Sequence, residues 1–478
     1  VLDLVVNHTS DEHPWFEEAR KSRHNPYYNY YHWWPAEKGE PPLRLSYFDE
    51  EGNAWTYNKS TDSYYLHYFS RKQPDLNWEN PEVRQEIFDM MRFWFDKGID
   101  GFRMDSISLI AKDPSFPLID SKKYPDIFSF YAKEPRLHLY LHEMNRQVLS
   151  KYDCMSVGEG SAVMVDDVAK FVDPAREELN MLYHFDAARI RNTTLPDNPE
   201  SGIDYSLIAL KKMFTEWDKA VDKGWPSIYL GNHDQPRMVS RFGSDKDEFR
   251  ALSAKMLITF LLTMRGTPYW FAGDEIGMRN IRFDRIEDYN DIDTINRYKK
   301  AKAEGKDPQA VLDEQKETGR DNARTPFQWD RSPEAGFTAG TPWLKVNPDY
   351  TWINVADEEK DPTSILNYFK KVVSFRKENP SLIYGSYHLL DAENPQSYTF
   401  LRKTGADTYL IMLNFSPKAA ISTPGIDMSN AHVLLDNYGD RSHMAPQKDI
   451  TLRPFEAIVF QLNHPVYESF IDSLDLLE

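Results

Sequence analysis

Ile99-Asp100-Gly101-Phe102-Arg103-Met104-Asp105 is a short apolar run that ends on a carboxylate, and its reading decides the rest of the chain. A helix precedes it. Asn80-Pro81 supplies a cap and a proline at the first helical position. Val83, Ile87, Met90 and Trp94 follow at helical spacing, and Gly98 ends the helix. The same helix-then-strand cycle recurs. Segments 1–6, 99–104, 154–157, 180–185, 227–230 and 269–272 read as strands, with helices at 136–151, 207–221 and 251–264 between them. Strands separated by helices imply a parallel sheet. Polar residues gather where the strands end: His8, Asp105, Glu159, then His233 with Asp234. In a closed α/β barrel those ends share one face. A doubly wound sheet would usually carry a Gly-rich phosphate loop, and none is present.

The flanks have other textures. Residues 9–73 lose periodicity and crowd aromatics, among them Tyr30, Tyr31, Trp33, Trp34 and Trp55. They read as a small subdomain inserted after the first strand, its aromatics mostly core. A helix at 365–377 closes the alternating region. After Asn379-Pro380, the segments 398–401, 409–415, 432–435 and 457–462 read as strands with no helices between them, a separate all-β domain. The expected division is 1–8, 9–73, 74–380, 381–463, and a tail at 464–478 with Tyr467, Phe470, Ile471 and Leu474 at helical spacing.

Composition excludes several classes. The 478 residues carry 57 basic and 75 acidic side chains, a net charge of −18. That balance argues against nucleic acid or an anionic membrane as partner. The longest uncharged apolar run, from Met256 to Met264, is far shorter than the ~20 residues of a membrane span. The single cysteine, Cys154, allows no intrachain disulfide, reads as a buried apolar residue, and suits the cytoplasm. No His, Cys or Asp group has metal-ligand spacing.

Three carboxylates at strand ends point to acid–base work, and two suffice for cleaving a glycosidic bond. Arg103 lies two residues before Asp105, so both side chains leave one face of the strand. A guanidinium at that distance favours an ionised carboxylate, which suits Asp105 to be the nucleophile. Glu159 has no basic neighbour in sequence and has the longer reach, as a general acid requires. His233-Asp234 would bind sugar hydroxyls. Singly, each of these residues reads as a cap, a surface acid or a structural histidine; the constellation carries the assignment.

These residues also carry a resemblance. Asp3-Leu4-Val5-Val6-Asn7-His8, Gly101-Phe102-Arg103-Met104-Asp105, Gly158-Glu159 and Asn232-His233-Asp234 occur in the order of the four signature regions of glycoside hydrolase family 13, the α-amylase family. Gln73-Pro74-Asp75-Leu76-Asn77 and Arg320-Asp321-Asn322-Ala323-Arg324-Thr325-Pro326 resemble markers of its oligo-1,6-glucosidase and α-glucosidase branch. The resemblance implies a (β/α)8 barrel with inserted domain B at 9–73 and a C-terminal antiparallel β-sandwich. It implies retaining removal of a terminal glucose from short isomalto- or malto-oligosaccharides, without cofactor. Asp105 then resembles the nucleophile, Glu159 the acid/base and Asp234 the transition-state stabiliser. His8, Arg103, His233, Arg320 and Phe69 resemble groups that hold the glucose.

Some features depart from the family pattern. The family barrel has eight strands and six are read here, so residues 1–8 correspond to the third strand. The first two, with any calcium loop, are expected in a segment before Val1. Ser106 stands where relatives carry Val with α-1,6 bonds or Thr with α-1,4 bonds. Gly160-Ser161 after the acid is expected to widen the leaving-group side. Sucrose isomerases, which share the intermediate, carry acids after the sixth barrel strand. Here Arg189-Ile190-Arg191-Asn192-Thr193 has none. Isomerisation or transglucosylation is therefore the alternative. A non-catalytic transporter-associated relative ranks last, because all three acids are present.

Overall fold

The strand ends fall level with one another because the expected parallel strands pair in close register. The structure, a computed structural model, describes residues 1–48, 52–124, 126–186, 206–405, 407–444 and 447–462. The Arg189–Thr193 stretch and the tail at 464–478 lie outside them. Two compact units divide the chain: Val1–Phe185 with Lys219–Pro226, and Asp186–Asp218 with Ser227–Glu478.

In the first unit the strands are β1 (Leu2–Val5), β2 (Trp33–Pro35), β3 (Trp55–Asn58), β4 (Ser63–Leu66), β5 (Gly101–Asp105), β6 (Met155–Glu159) and β7 (Met181–Tyr183). Four of them form a parallel sheet in the order β1-β5-β6-β7. Asp3 pairs with Arg103, Val5 with Asp105, and Glu159 with Tyr183. Phe102, Met104, Val157 and Leu182 bury the rows between the functional residues. The helix Pro81–Asp96 that leads into β5 begins as its sequence implies: the Asn80 side chain accepts from the Glu82 amide, and Gly98 ends the turn at φ +92°. Its buried stripe is rotated from the expected one. Val83, Ile87, Phe88, Met91 and Phe95 face inward, while Met90 and Trp94 are exposed. Both stripes have helical spacing, so periodicity alone does not choose between them.

The segment after β1 forms a three-stranded antiparallel sheet, β2-β4-β3. Its core joins Trp55, Leu66 and Tyr68 to Leu109, Phe116 and Tyr131, which follow Asp105 in the chain. Tyr30 and Tyr31 are buried, as expected of core aromatics. Cys154 lies just ahead of β6 rather than in a strand interior. It is half-buried, its thiol 3.5 Å from the Leu149 carbonyl and pushed up in pKa by burial.

The second unit holds β8 (Ser227–Ile228) and β9 (Thr267–Pro268), paired in parallel. The last strand thus precedes the expected 269–272. The Tyr269 amide continues the ladder, to the Ile228 carbonyl at 2.8 Å, before Gly273 turns the chain at φ +101°. The aromatic run Tyr269-Trp270-Phe271 has the composition of a strand but lies beyond the end of β9. The helix Arg250–Thr263 is buried on nearly every side, as an apolar helix between layers must be. Beyond it come β10 (Ser386–Leu389), β11 (Ser397–Thr404), β12 (Asp407–Asn414), β13 (Ala420–Ser422), β14 (Ala431–Asp436), β15 (Ile450–Leu452) and β16 (Ala457–Leu462). They form a five-stranded antiparallel sheet, β10-β11-β12-β16-β14, and a two-stranded one, β13-β15, around Leu410, Met412, Ile450 and Ile458. Two buried guanidiniums tie this region to the helix. Arg376 donates to the carbonyls of Leu262 and Met264 at 2.8 Å, and Arg402 to those of Thr263, Leu382 and Gly385. Cations at a helix C-terminus satisfy carbonyls that lack partners within the helix. No helix among the described residues is long and apolar enough to cross a membrane.

Candidate active site

Arg103 is the hub of the first unit's site. Its Nη1 meets Asp105 Oδ1 at 2.6 Å and Asp3 Oδ1 at 2.8 Å, and its Nε donates to the Tyr183 hydroxyl at 2.9 Å. Its Nη2 donates to Glu159 Oε2. The shared strand face of Arg103 and Asp105 is as the two-residue spacing requires. Glu159 has no basic neighbour in sequence, yet in space the same guanidinium touches both carboxyls, because β6 pairs beside β5. What separates the two acids is burial. The Glu159 side chain is 9% exposed and that of Asp105 is 22% exposed. Burial, with Asp105 nearby, pushes the Glu159 carboxyl up to about 7, against the pull of Arg103.

Glu159 is held at both oxygens. Oε2 also accepts from the Ser106 amide at 3.3 Å, and Oε1 accepts from the Ser161 hydroxyl at 2.8 Å. Ser106 sits in the left-handed region at φ +44°, a conformation that costs a residue with a Cβ and that concentrates at functional sites. Gly160 has a packing role that the sequence did not suggest. Its amide donates to the Tyr183 carbonyl at 2.8 Å, and a Cβ there would lie 2.7 Å from Leu182 Cδ2. Glycine at this position therefore lets β6 approach β7.

His8 ends the first strand's run and is buried. Its ring nitrogens lie 3.2 Å from the Asn7 amide and 3.1 Å from the Gln73 amide, and its ring meets Phe69 at 5.1 Å. Burial pushes the imidazole down to about 4, so it is neutral at pH 7. His8 and Gln73 line a cavity of about 630 Å³ with Trp15, Leu76 and Met90. The Gln73–Asn77 marker acquires a physical reason. Asp75 accepts from Asn7 at 3.3 Å and pairs with the buried Lys112 at 3.1 Å, fixing the turn beside His8.

The second unit carries the other named residues. The Asp234 side chain is gripped by Arg324 at 2.8 Å, Arg320 at 3.2 Å and the His233 ring at 3.2 Å. Arg320 also binds the buried Asp291 through Nε at 2.8 Å. The Arg320–Pro326 marker is likewise explained. Asp321 accepts the amides of Asn290 and Asp291 at 2.7 and 2.8 Å, and Asn322 donates to the carbonyls of Lys316 and Gly319. Arg237 donates to the carbonyls of Ala272 and Ala323, tying this loop to the turn after Asp234. Sequence reasoning missed Asp3, Tyr183, Asp291 and Arg324 as partners. For Asp3 and Tyr183 the only signal is register, which places them opposite Arg103 and Glu159. Among the described residues no group of three His, Cys, Asp or Glu side chains is placed to hold a metal ion.

Paired carboxyls of unequal burial at the C-terminal ends of parallel strands are the arrangement that glycosidic-bond cleavage requires. The α-amylase catalytic-domain family model matches residues 1–385, and the chain belongs to the α-amylase family. It is 49% identical over 476 residues to the oligo-1,6-glucosidase of Parageobacillus thermoglucosidasius, covering 97% of this chain and 83% of the relative. It is 45% identical over 472 residues to that of Bacillus cereus, with the same coverage. Among solved structures, a point mutant of the isomaltulose synthase of Erwinia rhapontici in complex with sucrose matches with a TM-score of 0.90 and 39% identity over 97% of this chain and 83% of that one. The fold is the family's (β/α)8 barrel with inserted domain B and a C-terminal antiparallel domain.

Proposed function

We propose that this protein is a retaining exo-α-glucosidase that removes terminal glucose from short isomalto- and malto-oligosaccharides. One observation carries the reading: Arg103 bridges two carboxyls, one buried and raised to about 7, the other more open. The buried group, Glu159, holds a proton near neutrality and gives it to the leaving oxygen. Asp105 attacks the anomeric carbon, and water then releases the glucosyl ester with Glu159 as base. Asp234, held by Arg320 and Arg324, stabilises the cationic sugar. His8, Phe69, His233 and Arg320 bind the glucose, and Ser106 bears on linkage preference. The chemistry draws on no metal or cofactor, and one thiol needs no oxidising compartment, which fits the cytoplasm.

The test is a substrate panel of isomaltose, panose, maltose, sucrose and p-nitrophenyl α-glucoside, with the first-formed anomer followed by NMR. Release of α-glucose is expected. β-Glucose as first product, or no cleavage of any α-glucoside, overturns the reading. The likeness to a solved isomaltulose synthase supports one second reading, sucrose isomerisation. Isomaltulose or trehalulose from sucrose, in place of glucose and fructose, would establish it.

A further inference from the structure

The two oxygens of Glu159 have different surroundings. Oε2 faces Arg103 Nη2 and the Ser106 amide, and neither donor can accept a hydrogen bond. A proton on Oε2 would point at N–H groups. Among the described residues Oε1 has the Ser161 hydroxyl as its hydrogen-bond partner, at 2.8 Å, and a hydroxyl can turn to donate or accept. Ser161 is itself firmly placed. Its carbonyl accepts from the buried Ser108 hydroxyl at 2.6 Å, the Gly160 amide before it is tied to Tyr183, and Ala162 after it is fixed at φ +62°.

We propose that Ser161 is a positioning residue that makes Oε1 the oxygen carrying the transferable proton, its hydroxyl reversing direction as Glu159 loses and regains that proton. The inference rests on Glu159 being the acid/base. In the acid form, Oε1–H donates and Ser161 Oγ accepts. As Asp105 bonds to the anomeric carbon and the glycosidic C–O bond breaks, the proton passes from Oε1 to the leaving oxygen. The Ser161 O–H then turns to donate to the new carboxylate. When water attacks and the ester to Asp105 breaks, the water's proton returns to Oε1 and the hydroxyl turns back.

The hydroxyl bonds both forms, but its bond to the ionised carboxylate is the stronger, so its removal raises the affinity of Glu159 for its proton. The test compares the full chain with S161A, S161T and E159Q. Protonation of Glu159 is followed by difference infrared spectroscopy against E159Q, and the alkaline limb of kcat/KM on isomaltose is followed in parallel. S161A is expected to move both midpoints upward by ~0.5 pH or more, about threefold in proton affinity, with an unchanged melting temperature. S161T, which keeps the hydroxyl, restores the wild-type midpoint. If S161A does not fold, S161C, with a weaker donor, is expected to give a smaller upward shift. An infrared midpoint unmoved in the folded variant overturns the proposal. If that midpoint moves while the wild type cleaves no glucoside, the hydrolase reading falls and the role of Ser161 stands.

Discussion

At the scale of single residues, the division of labour follows from one guanidinium and unequal burial. D105N keeps the shape of the carboxylate and removes its nucleophilicity. We expect kcat to fall on the order of 10⁴-fold or more, with a melting temperature close to wild type. Activity within tenfold of wild type would exclude Asp105 as nucleophile. The raised carboxyl sets the pH response. The acid form of Glu159 exists below about 7, so kcat/KM is expected to decline as pH rises through that value. A flat profile from pH 6 to 9 would contradict the assignment. At Ser106, S106V is expected to raise the isomaltose-to-maltose ratio of kcat/KM, and an unchanged ratio removes linkage choice from this position. The left-handed backbone there makes a β-branched side chain costly, so a lower melting temperature should accompany the change.

At the scale of elements, placement depends on close pairing between strands. G160A puts a methyl 2.9 Å from the Tyr183 carbonyl, a backbone atom that cannot rotate away. Overpacking of this kind costs about 1–3 kcal/mol. The expected result is a melting temperature several degrees lower and kcat about tenfold lower, since Glu159 moves with its strand. A variant with wild-type kcat would show that the spacing of β6 and β7 does not govern the acid. The strand ends themselves were legible in the sequence, because an apolar run that stops at Asp105 or Glu159 is a local pattern. Tyr183 was not, since only pairing across strands puts it beside Arg103. The helix before β5 shows the same limit from another side. Val83 and Ile87 lie on both candidate stripes, and tertiary packing, not spacing, chose Met91 and Phe95 over Met90 and Trp94. The short strands Ala420–Ser422 and Ile450–Leu452 escaped notice because three residues carry no period. Arg324 was visible in a motif, but its grip on Asp234 spans 90 positions.

At the scale of the molecule, the barrel's helix Arg250–Thr263 and the C-terminal sheet depend on buried cations that bind carbonyls. R402M preserves much of the volume and leaves the carbonyls of Thr263 and Gly385 without the guanidinium that binds them, while that of Leu382 keeps Arg376. Each orphaned buried acceptor costs about 1–3 kcal/mol. A fall in melting temperature of at least about 5 °C is expected, with the helix and the sheet becoming protease-sensitive together. A change under 1 °C would mean that water replaces the guanidinium. The lone thiol has a use at the same scale. Cys154 stands at the opposite end of β6 from Glu159, about 17 Å away along an extended strand. A dye or spin label attached there marks this chain once, at the far end of the strand that carries Glu159. Because burial raises the thiol's pKa, that attachment proceeds slowly at neutral pH and calls for mildly alkaline buffer, so unwanted modification during ordinary handling is slow for the same reason.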